Sequence, residues 1–451
     1  MLRSDRVKSL DPDVLNRIKE QYDNLPYPQI PIEKIPQGDD ALDKLFIHNL
    51  VTSHYLRYQA VIDPSEKLIL DAGCGSGYKS LVLAMANPGA KIVGVDISDA
   101  SVDFAKTRLQ HHGFDNAEFY AMPLEELPSL GMKFDYINCD EVLYILPNPL
   151  EGLQALQSVL TETGIIRGNF HSALQRHNYY RAQALFKMMG LMEDNPEDLE
   201  VEIVIEVMKA LKDEVDLKTD SWQPHWEELE NKSGVLMNHL LQGDRGFTIP
   251  DVFSMLKATN LDFISMVKWR HWEINDLFKD ADDLPPFLAM SLPNISVEER
   301  LRFFELLHPV HRLIDFWCAH PGTTPTPMSP NTWNTEQWNR ARVHLHPQLQ
   351  HPKIKAEVLE TIDKRQSLDL RQYLRLPSKT PVTINYLDAA CLLPLWDHSQ
   401  TFTTLLSRRL TLSPINPLTL EPMENITVFQ ELKNLLSHLE VFLYLLIESD
   451  A

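Results

Sequence analysis

Cysteine is scarce in this chain. The four present, Cys74, Cys139, Cys318 and Cys391, lie far apart and form no Cys-x-x-Cys pair. That argues against a disulfide framework and fits a reducing compartment. Long apolar runs are missing as well. The most apolar segment, Leu439–Ile447, is shorter than the roughly 20 residues a bilayer crossing needs and reads as a buried C-terminal helix. The opening residues, Met1-Leu-Arg-Ser-Asp-Arg-Val-Lys8, contain no hydrophobic signal core. A cytoplasmic protein with no membrane association is expected. Basic residues are outnumbered, Lys+Arg 42 against Asp+Glu 63, for a net charge of -21. Nucleic acid is therefore not expected as the principal partner, because phosphate binding needs a basic surface. No repeat of fixed period occurs. His308, His311, Cys318 and His320 are close in sequence but lack the tight paired spacing of a zinc site, so no metal is expected.

Apolar material is ample, at 44% of 451 residues, a length that suggests two or three units at about 100–200 residues each. The most informative stretch is Leu68-Ile-Leu-Asp-Ala-Gly-Cys-Gly-Ser-Gly77. An apolar strand ends in an acid and then a Gly-x-Gly-x-Gly turn, which lets backbone amides approach a ligand and leads into a helix N-terminus. A second strand, Lys91-Ile-Val-Gly-Val95, ends in Asp96, about 20 residues past the turn. A carboxylate there can accept from both hydroxyls of a ribose. The third glycine comes one residue too early for a dinucleotide fingerprint. Asp71 before the turn would repel a pyrophosphate and welcome an ammonium.

Residues 64–172 alternate strand and helix, with strands at Lys67–Leu70, Lys91–Val95, Glu118–Ala121, Phe134–Asn138 and Gly164–Phe170. Ser98 caps a helix that Gly113 ends. This is the grammar of a doubly wound α/β sheet. The pattern Asp71-x-Gly-x-Gly-x-Gly77, with the later Val-Asp96-Ile-Ser, resembles the S-adenosylmethionine site of class I methyltransferases. The resemblance implies a mostly parallel, seven-stranded Rossmann-like methyltransferase sheet. It places Asp71, Gly73, Cys74, Gly75 and Gly77 near the methionine part of the cofactor, and Asp96 with Ile97 at the ribose. The adenine falls to Met122, Pro123 and Leu124. Class I enzymes often carry an acid where Pro123 stands, so the backbone of Leu124 and apolar contact from Met122 must serve instead.

The fourth strand runs into Asn138-Cys-Asp-Glu-Val-Leu-Tyr-Ile-Leu-Pro147, the place that borders the transfer site in this fold. Asp140, Glu141 and Tyr144 are its candidates, Asp140 for cofactor or acceptor. His171, at the end of the fifth strand, stands where a general base can reach an acceptor; Asn169, His177, Tyr179 and Tyr180 are nearby in sequence. The alternatives are a hydrogen-bonded structural residue for His171 and a half-buried helix residue for Tyr144. Asn/Asp-Pro-Pro-Tyr/Phe, typical of enzymes that methylate amides and exocyclic amines, is absent.

Flanking segments give the domain plan. Residues 1–60 read as an N-terminal helical lid broken by Tyr22-Asp-Asn-Leu-Pro-Tyr-Pro28. Residues 61–275 form the catalytic domain, with a helical insertion at 173–245 over the active site. Residues 276–330 read as a helical connector ending in a proline-rich linker, and 331–451 as a mainly helical unit. Tyr22–Pro28 and Asp244-Arg-Gly-Phe-Thr-Ile-Pro250 resemble segments that flank the core in a bacterial group. Ala389-Ala-Cys-Leu-Leu-Pro-Leu-Trp-Asp-His398 resembles the start of the methyltransferase regulatory domain, with His398 in place of its usual glycine. Members with that module include bacterial protein-lysine methyltransferases, and some cyanobacterial methyltransferases are similar through about residue 215. The resemblance implies methyl transfer to a protein side chain. The alternatives are a quinone, pigment or natural-product methyltransferase, and a non-catalytic scaffold that binds S-adenosylmethionine.

Overall fold

The computed structural model describes the chain apart from residues 1–12, 25–26, 38, 228–231, 323–327, 375–380, 417 and 450–451. The opening octapeptide, and part of the linker expected at 321–330, therefore lie outside the described residues. The N-terminal helices are α1 (Asp13–Asn24), α2 (Asp39–His48) and α3 (Leu50–Tyr58). The sheet begins with β1 (Leu68–Ala72), followed by α4 (Tyr78–Ala86), β2 (Lys91–Asp96), α5 (Asp99–His111) and β3 (Glu118–Ala121). It continues with β4 (Phe134–Cys139), α6 (Pro149–Ser158) and β5 (Leu160–His171). Apart from their first residues, β1 and β2 are buried almost throughout, as parallel strands covered on both faces must be. Ser98 caps α5 by accepting from Ser101 N–H, and Gly113 follows with φ +80°.

After β5 the insertion supplies α7 (His177–Met188), α8 (Asp198–Ala210), α9 (Asp216–Ser221) and α10 (Lys232–His239). It closes over its own core of Phe186, Val204, Met208, Trp222, Trp226 and Val235. A capping box between Thr248 and Asp251 then starts α11 (Ile249–Ala258), which leads into β6 (Asp262–Met266). Helices α12 (Pro286–Ser291) and α13 (Val297–Leu307) come next, and then β7 (Leu313–Ala319). The seven-stranded order is β3-β2-β1-β4-β5-β7-β6. β1 to β5 run parallel, and β7 runs antiparallel to both β5 and β6. The order reverses between β1 and β4, so a crevice opens beyond the C-terminal ends of those strands.

Three expectations are corrected. Residues 278–320 are not helical throughout: the connector drawn at 276–330 contains β7, which completes the sheet. Leu313-Ile-Asp-Phe-Trp-Cys-Ala319 is a short apolar run, which periodicity cannot assign, and pairing with β5 and β6 decides it. Leu439–Ile447 is not one helix. The last helix stops at Glu440, Leu443 turns with φ +53°, and Leu445–Ser449 is a strand. Finally, α2 and α3 are more than a lid on the sheet edge. Leu50 packs with Ile69, Leu81 and Ile92 of the seven-stranded sheet and its flanking helix, while Phe46, Val51 and Tyr55 enter the core of the C-terminal unit. Asn49 and Asn87 lock this wedge, donating to Ala86 O at 2.6 Å and accepting from Leu50 N–H at 2.8 Å respectively.

The C-terminal unit is mainly helical, with β8 (Ala341–Leu345), β9 (Ser367–Asp369), β10 (Thr383–Asn385), β11 (Gln400–Thr401) and β12 (Leu445–Ser449) threaded between its helices. β11, β8 and β12 form a three-stranded antiparallel sheet. Among the described residues no helix is long and apolar enough to cross a membrane.

Candidate active site

The glycine turn links β1 to α4 with Gly73, Gly75 and Gly77 at φ +80°, +50° and +78°. At Gly75 a Cβ would stand 2.2 Å from the Tyr27 carbonyl oxygen. That carbonyl accepts from Ser76 N–H at 2.9 Å, and Ser76 Oγ donates to Pro28 O at 2.7 Å. At Gly77 a Cβ would meet the backbone of Ala105 on α5 at 2.6 Å. The turn is thus glycine-rich for packing reasons as well as for ligand approach. Arg108, fully buried on α5, fixes the assembly. It donates to Ser76 O and Pro31 O at 2.9 Å and to Ile30 O at 2.5 Å, strapping residues 27–31 to the turn.

A cavity of about 510 Å³ opens against the turn. On the β2 side it is lined by Asp96, Ile97, Met122, Pro123 and Leu124, and beside the turn by Gly73, Cys74 and Gly75. On the β4–β5 side stand Asp140, Glu141, Tyr144, His171 and Arg312. Ile18 and Tyr22 of α1, with Met237, Asn238 and Leu241 at the end of the insertion, also line it. Asp96 accepts from Gly75 N–H at 2.8 Å with one oxygen and from Ser98 N–H at 3.0 Å with the other. Each carboxylate oxygen has a second lone pair. Burial pushes this carboxyl up, against the two amides that favour its charge.

Asp71 and Gly77 are not on the cavity wall. Asp71 lies behind the turn, accepting from Ser80 Oγ at 2.6 Å and Asn138 Nδ2 at 2.8 Å, and burial pushes its carboxyl up to about 6. It belongs to a polar row across the sheet. Asn138 Oδ1 accepts from Arg167 Nη1 at 3.1 Å, and Arg167 grips Asp315 on β7 through Nε at 3.0 Å and Nη2 at 2.7 Å. Asp140 adjoins this row. It pairs with Lys79 at 2.6 Å, accepts from Asn169 Nδ2 at 2.6 Å and has Arg167 at 3.4 Å. Burial alone would raise its carboxyl, but the two cations hold it well below the carboxylate range. So anchored, Asp140 is a fixed negative charge and a poor proton acceptor.

Glu141 adopts φ +65°, a conformation that costs a non-glycine residue about 1–3 kcal/mol. Its N–H donates to Asn169 Oδ1 at 2.8 Å, which holds that turn. Its carboxylate receives both Nη groups of Arg312, Nη1 at 2.8 Å, and Tyr144 OH at 3.0 Å. Arg312 outweighs burial and keeps this carboxyl low. His171, 1% exposed, stacks on Tyr144 with ring centroids 3.7 Å apart. Its Nδ1 is 2.7 Å from Asp244 Oδ1 and its Nε2 is 3.0 Å from Arg312 Nη1.

Asp140, Glu141, Tyr144 and His171 therefore converge in one place. Tyr179 does not join them: it packs on Arg176 and Trp226 in the insertion. His308, His311, Cys318 and His320 do not gather either, and no group of residues able to hold a metal occurs among the described residues. His311 stacks on Trp272, and Cys318 is in the sheet core. Sequence reasoning missed Lys79, Arg108, Asp244 and Arg312. Asp244 had a signal, the Asp-Arg-Gly-Phe-Thr-Ile-Pro segment, whose Arg245 donates to Pro147 O at 3.2 Å in the loop after β4. Arg312 had none.

Residues 63–234 match the family model described as a methyltransferase domain. An uncharacterized protein of Synechococcus sp. is 28% identical over 263 residues, covering 57% of this chain and 61% of the relative. The ubiquinone biosynthesis O-methyltransferase of Acinetobacter baumannii is 30% identical over 112 residues, covering 25% of this chain and 45% of the relative. The chain thus spans less than two thirds of either relative. Among solved structures, PKMT2 from Rickettsia typhi superposes with a TM-score of 0.58 at 14% identity, covering 90% of this chain and 75% of that one. Its complex with AdoHcy gives a TM-score of 0.57 at 15% identity, covering 94% and 77%. At that identity the likeness concerns the fold.

Proposed function

We propose that this chain, whose residues 63–234 are a methyltransferase domain of the class I fold, transfers a methyl group from S-adenosylmethionine to a protein side chain in the cytoplasm. The observation that carries the cofactor assignment is Asp96, a half-buried carboxylate with lone pairs to spare on the cavity wall. Two ribose hydroxyls would satisfy it. Ile97 and Met122 offer apolar faces to an adenine. Leu124 opens a 3₁₀ turn, so its N–H is a terminal donor without an intrahelical partner. Gly73, Cys74 and Gly75 pass under the remainder, towards Asp140. These residues fit the cofactor, which when bound supplies a methyl group on a sulfonium that leaves as a neutral thioether.

The rest of the work is alignment and exclusion of water. Tyr22 and Tyr144 cover the transfer end, and the Arg312–Glu141 pair closes it. A protein acceptor is favoured by size: about 510 Å³ is one small-ligand site, so beside a nucleoside only a slender group fits. The acidic chain, at -21, also suits a basic partner surface. The second reading, a quinone-like small acceptor, is favoured by the stretch shared with the ubiquinone biosynthesis O-methyltransferase.

The test is incubation with methyl-labelled S-adenosylmethionine and a lysate of the source organism, followed by separation of protein from small molecules. Label in a protein band is the expected result. Label confined to the small-molecule fraction replaces the protein acceptor with a small one. Tight cofactor binding without label in either fraction would make the chain a binding scaffold.

A further inference from the structure

Two neighbours of His171 fix where its proton sits. Asp244 has a fully buried side chain, and its second oxygen accepts from Arg176 Nη2 at 3.0 Å and Gln183 Nε2 at 2.9 Å. Burial alone would raise its carboxyl. The contacts from His171, Arg176 and Gln183 outweigh burial and keep it ionised. An ionised carboxylate only accepts, so His171 Nδ1, 2.7 Å away, must be the donor. On the other side Arg312 Nη1 lies 3.0 Å from Nε2, and a guanidinium only donates. Both contacts therefore require the same tautomer, Nδ1–H with a bare Nε2 lone pair. Glu141 Oε2, at 3.7 Å from Nε2, is too far to share a proton in this arrangement. His171 and Arg312 both line the cavity.

We propose that His171 is the general base of the transfer reaction, that Asp244 is its positioning residue, and that Arg312 occupies the acceptor's place on Nε2 until the acceptor arrives. This rests on the methyltransferase reading and narrows the acceptor to a protic group that titrates near pH 10, an ammonium or a phenol. The acceptor X–H gives its proton to Nε2. Its freed electron pair forms the X–C bond to the methyl carbon as the C–S bond breaks, and that pair stays on sulfur. The imidazolium is held by Asp244 and passes the proton to solvent. Arg312 keeps its two contacts to Glu141 when it yields Nε2. Asp244 faces Nδ1 of His171 and Arg312 faces Nε2. Arg176 lies behind Asp244, and Glu141, Tyr144 and Tyr22 border the same space.

The test starts with the wild-type full chain, ¹⁵N-labelled at histidine and saturated with S-adenosylhomocysteine. The His171 ring is assigned with His171→Gln and read by long-range ¹H–¹⁵N correlation. The expected state at pH 7.5 is neutral, protonated at Nδ1. A proton on Nε2, or a doubly protonated ring at that pH, overturns the proposal whether or not any variant folds. In Asp244→Asn the obligate acceptor on Nδ1 is lost, and the share of the Nδ1–H tautomer should fall. With the lysate fraction that takes up label as acceptor, Asp244→Asn and His171→Gln should lower the rate at pH 7 by about 10²–10⁴-fold. The deficit should shrink towards pH 10 as the acceptor ionises unaided, and calorimetric affinity for S-adenosylmethionine should be unchanged. A deficit equal at every pH would make the pair structural and overturn the base. Absence of cofactor binding by the wild type would instead sink the methyltransferase reading itself, so the two failures are distinct.

Discussion

The Tyr27 carbonyl oxygen occupies the space a side chain at Gly75 would need, 2.2 Å from the position of its Cβ. The segment ahead of the seven-stranded sheet is therefore part of the glycine turn. Gly75→Ala must push Tyr27 and Pro28 off Ser76 and also place an alanine at φ +50°, itself worth about 1 kcal/mol. The expected outcome is at least a tenfold loss of S-adenosylmethionine affinity by calorimetry, with a modest fall in melting temperature. Unchanged affinity would mean that the strap does not shape the site.

Asp96 is expected to dominate cofactor affinity. Its two oxygens each keep a lone pair for a ribose hydroxyl, and hydrogen bonds to a charged group contribute about 1.5–3 kcal/mol each. Asp96→Ala should weaken binding by about 100-fold or more. The variant should still fold, because Gly75 and Ser98 lose only an acceptor at the cavity wall. Circular dichroism beside calorimetry separates the two effects.

The legible parts of this molecule were those encoded locally. The glycine turn, Asp96, the strands β1 to β5 and the Ser98 cap each follow from neighbouring residues. What was not legible depends on partners distant in sequence. β7 is a strand because β5 and β6 flank it. Arg312 reaches Glu141 from 171 positions away. Asp71 stood where the pattern placed an acid, yet Ser80 and Asn138 occupy its oxygens and turn it inward. The polar row from Asp71 to Asp315 needs four strands in register, which no local pattern records.

Asp71 should leave a signature in the pH dependence of stability. Burial raises its carboxyl from 3.8 to about 6 in the folded chain. Between those values the folded protein holds a proton that the unfolded chain has released. The stabilisation is complete below about pH 4 and is lost as pH rises through 6, a change of about 3 kcal/mol. Asp71→Asn cannot titrate and starts with a fixed penalty from one displaced donor. Its melting temperature should therefore rise relative to wild type by about 3 °C between pH 4 and pH 7. Parallel melting curves across that range would show that Asp71 titrates as in an open chain.

Tyr55 tests whether α3 joins the seven-stranded sheet to the C-terminal unit. β12 is an edge strand, and its Ile447 N–H donates outward to the Tyr55 hydroxyl at 3.0 Å, which also lies 2.9 Å from Glu440 Oε1. A buried edge N–H has no water to turn to, and leaving one unpaired costs about 1–3 kcal/mol. Tyr55→Phe removes the hydroxyl while the ring keeps its packing with Val343 and Leu436. The melting temperature should fall by about 1–3 °C. Tyr55 does not line the cavity, so affinity for S-adenosylmethionine should stay within twofold. A loss of affinity as large as that of Gly75→Ala would mean that the C-terminal unit reaches the cofactor site through α3, and the wedge would then be a coupling element as well as a structural one.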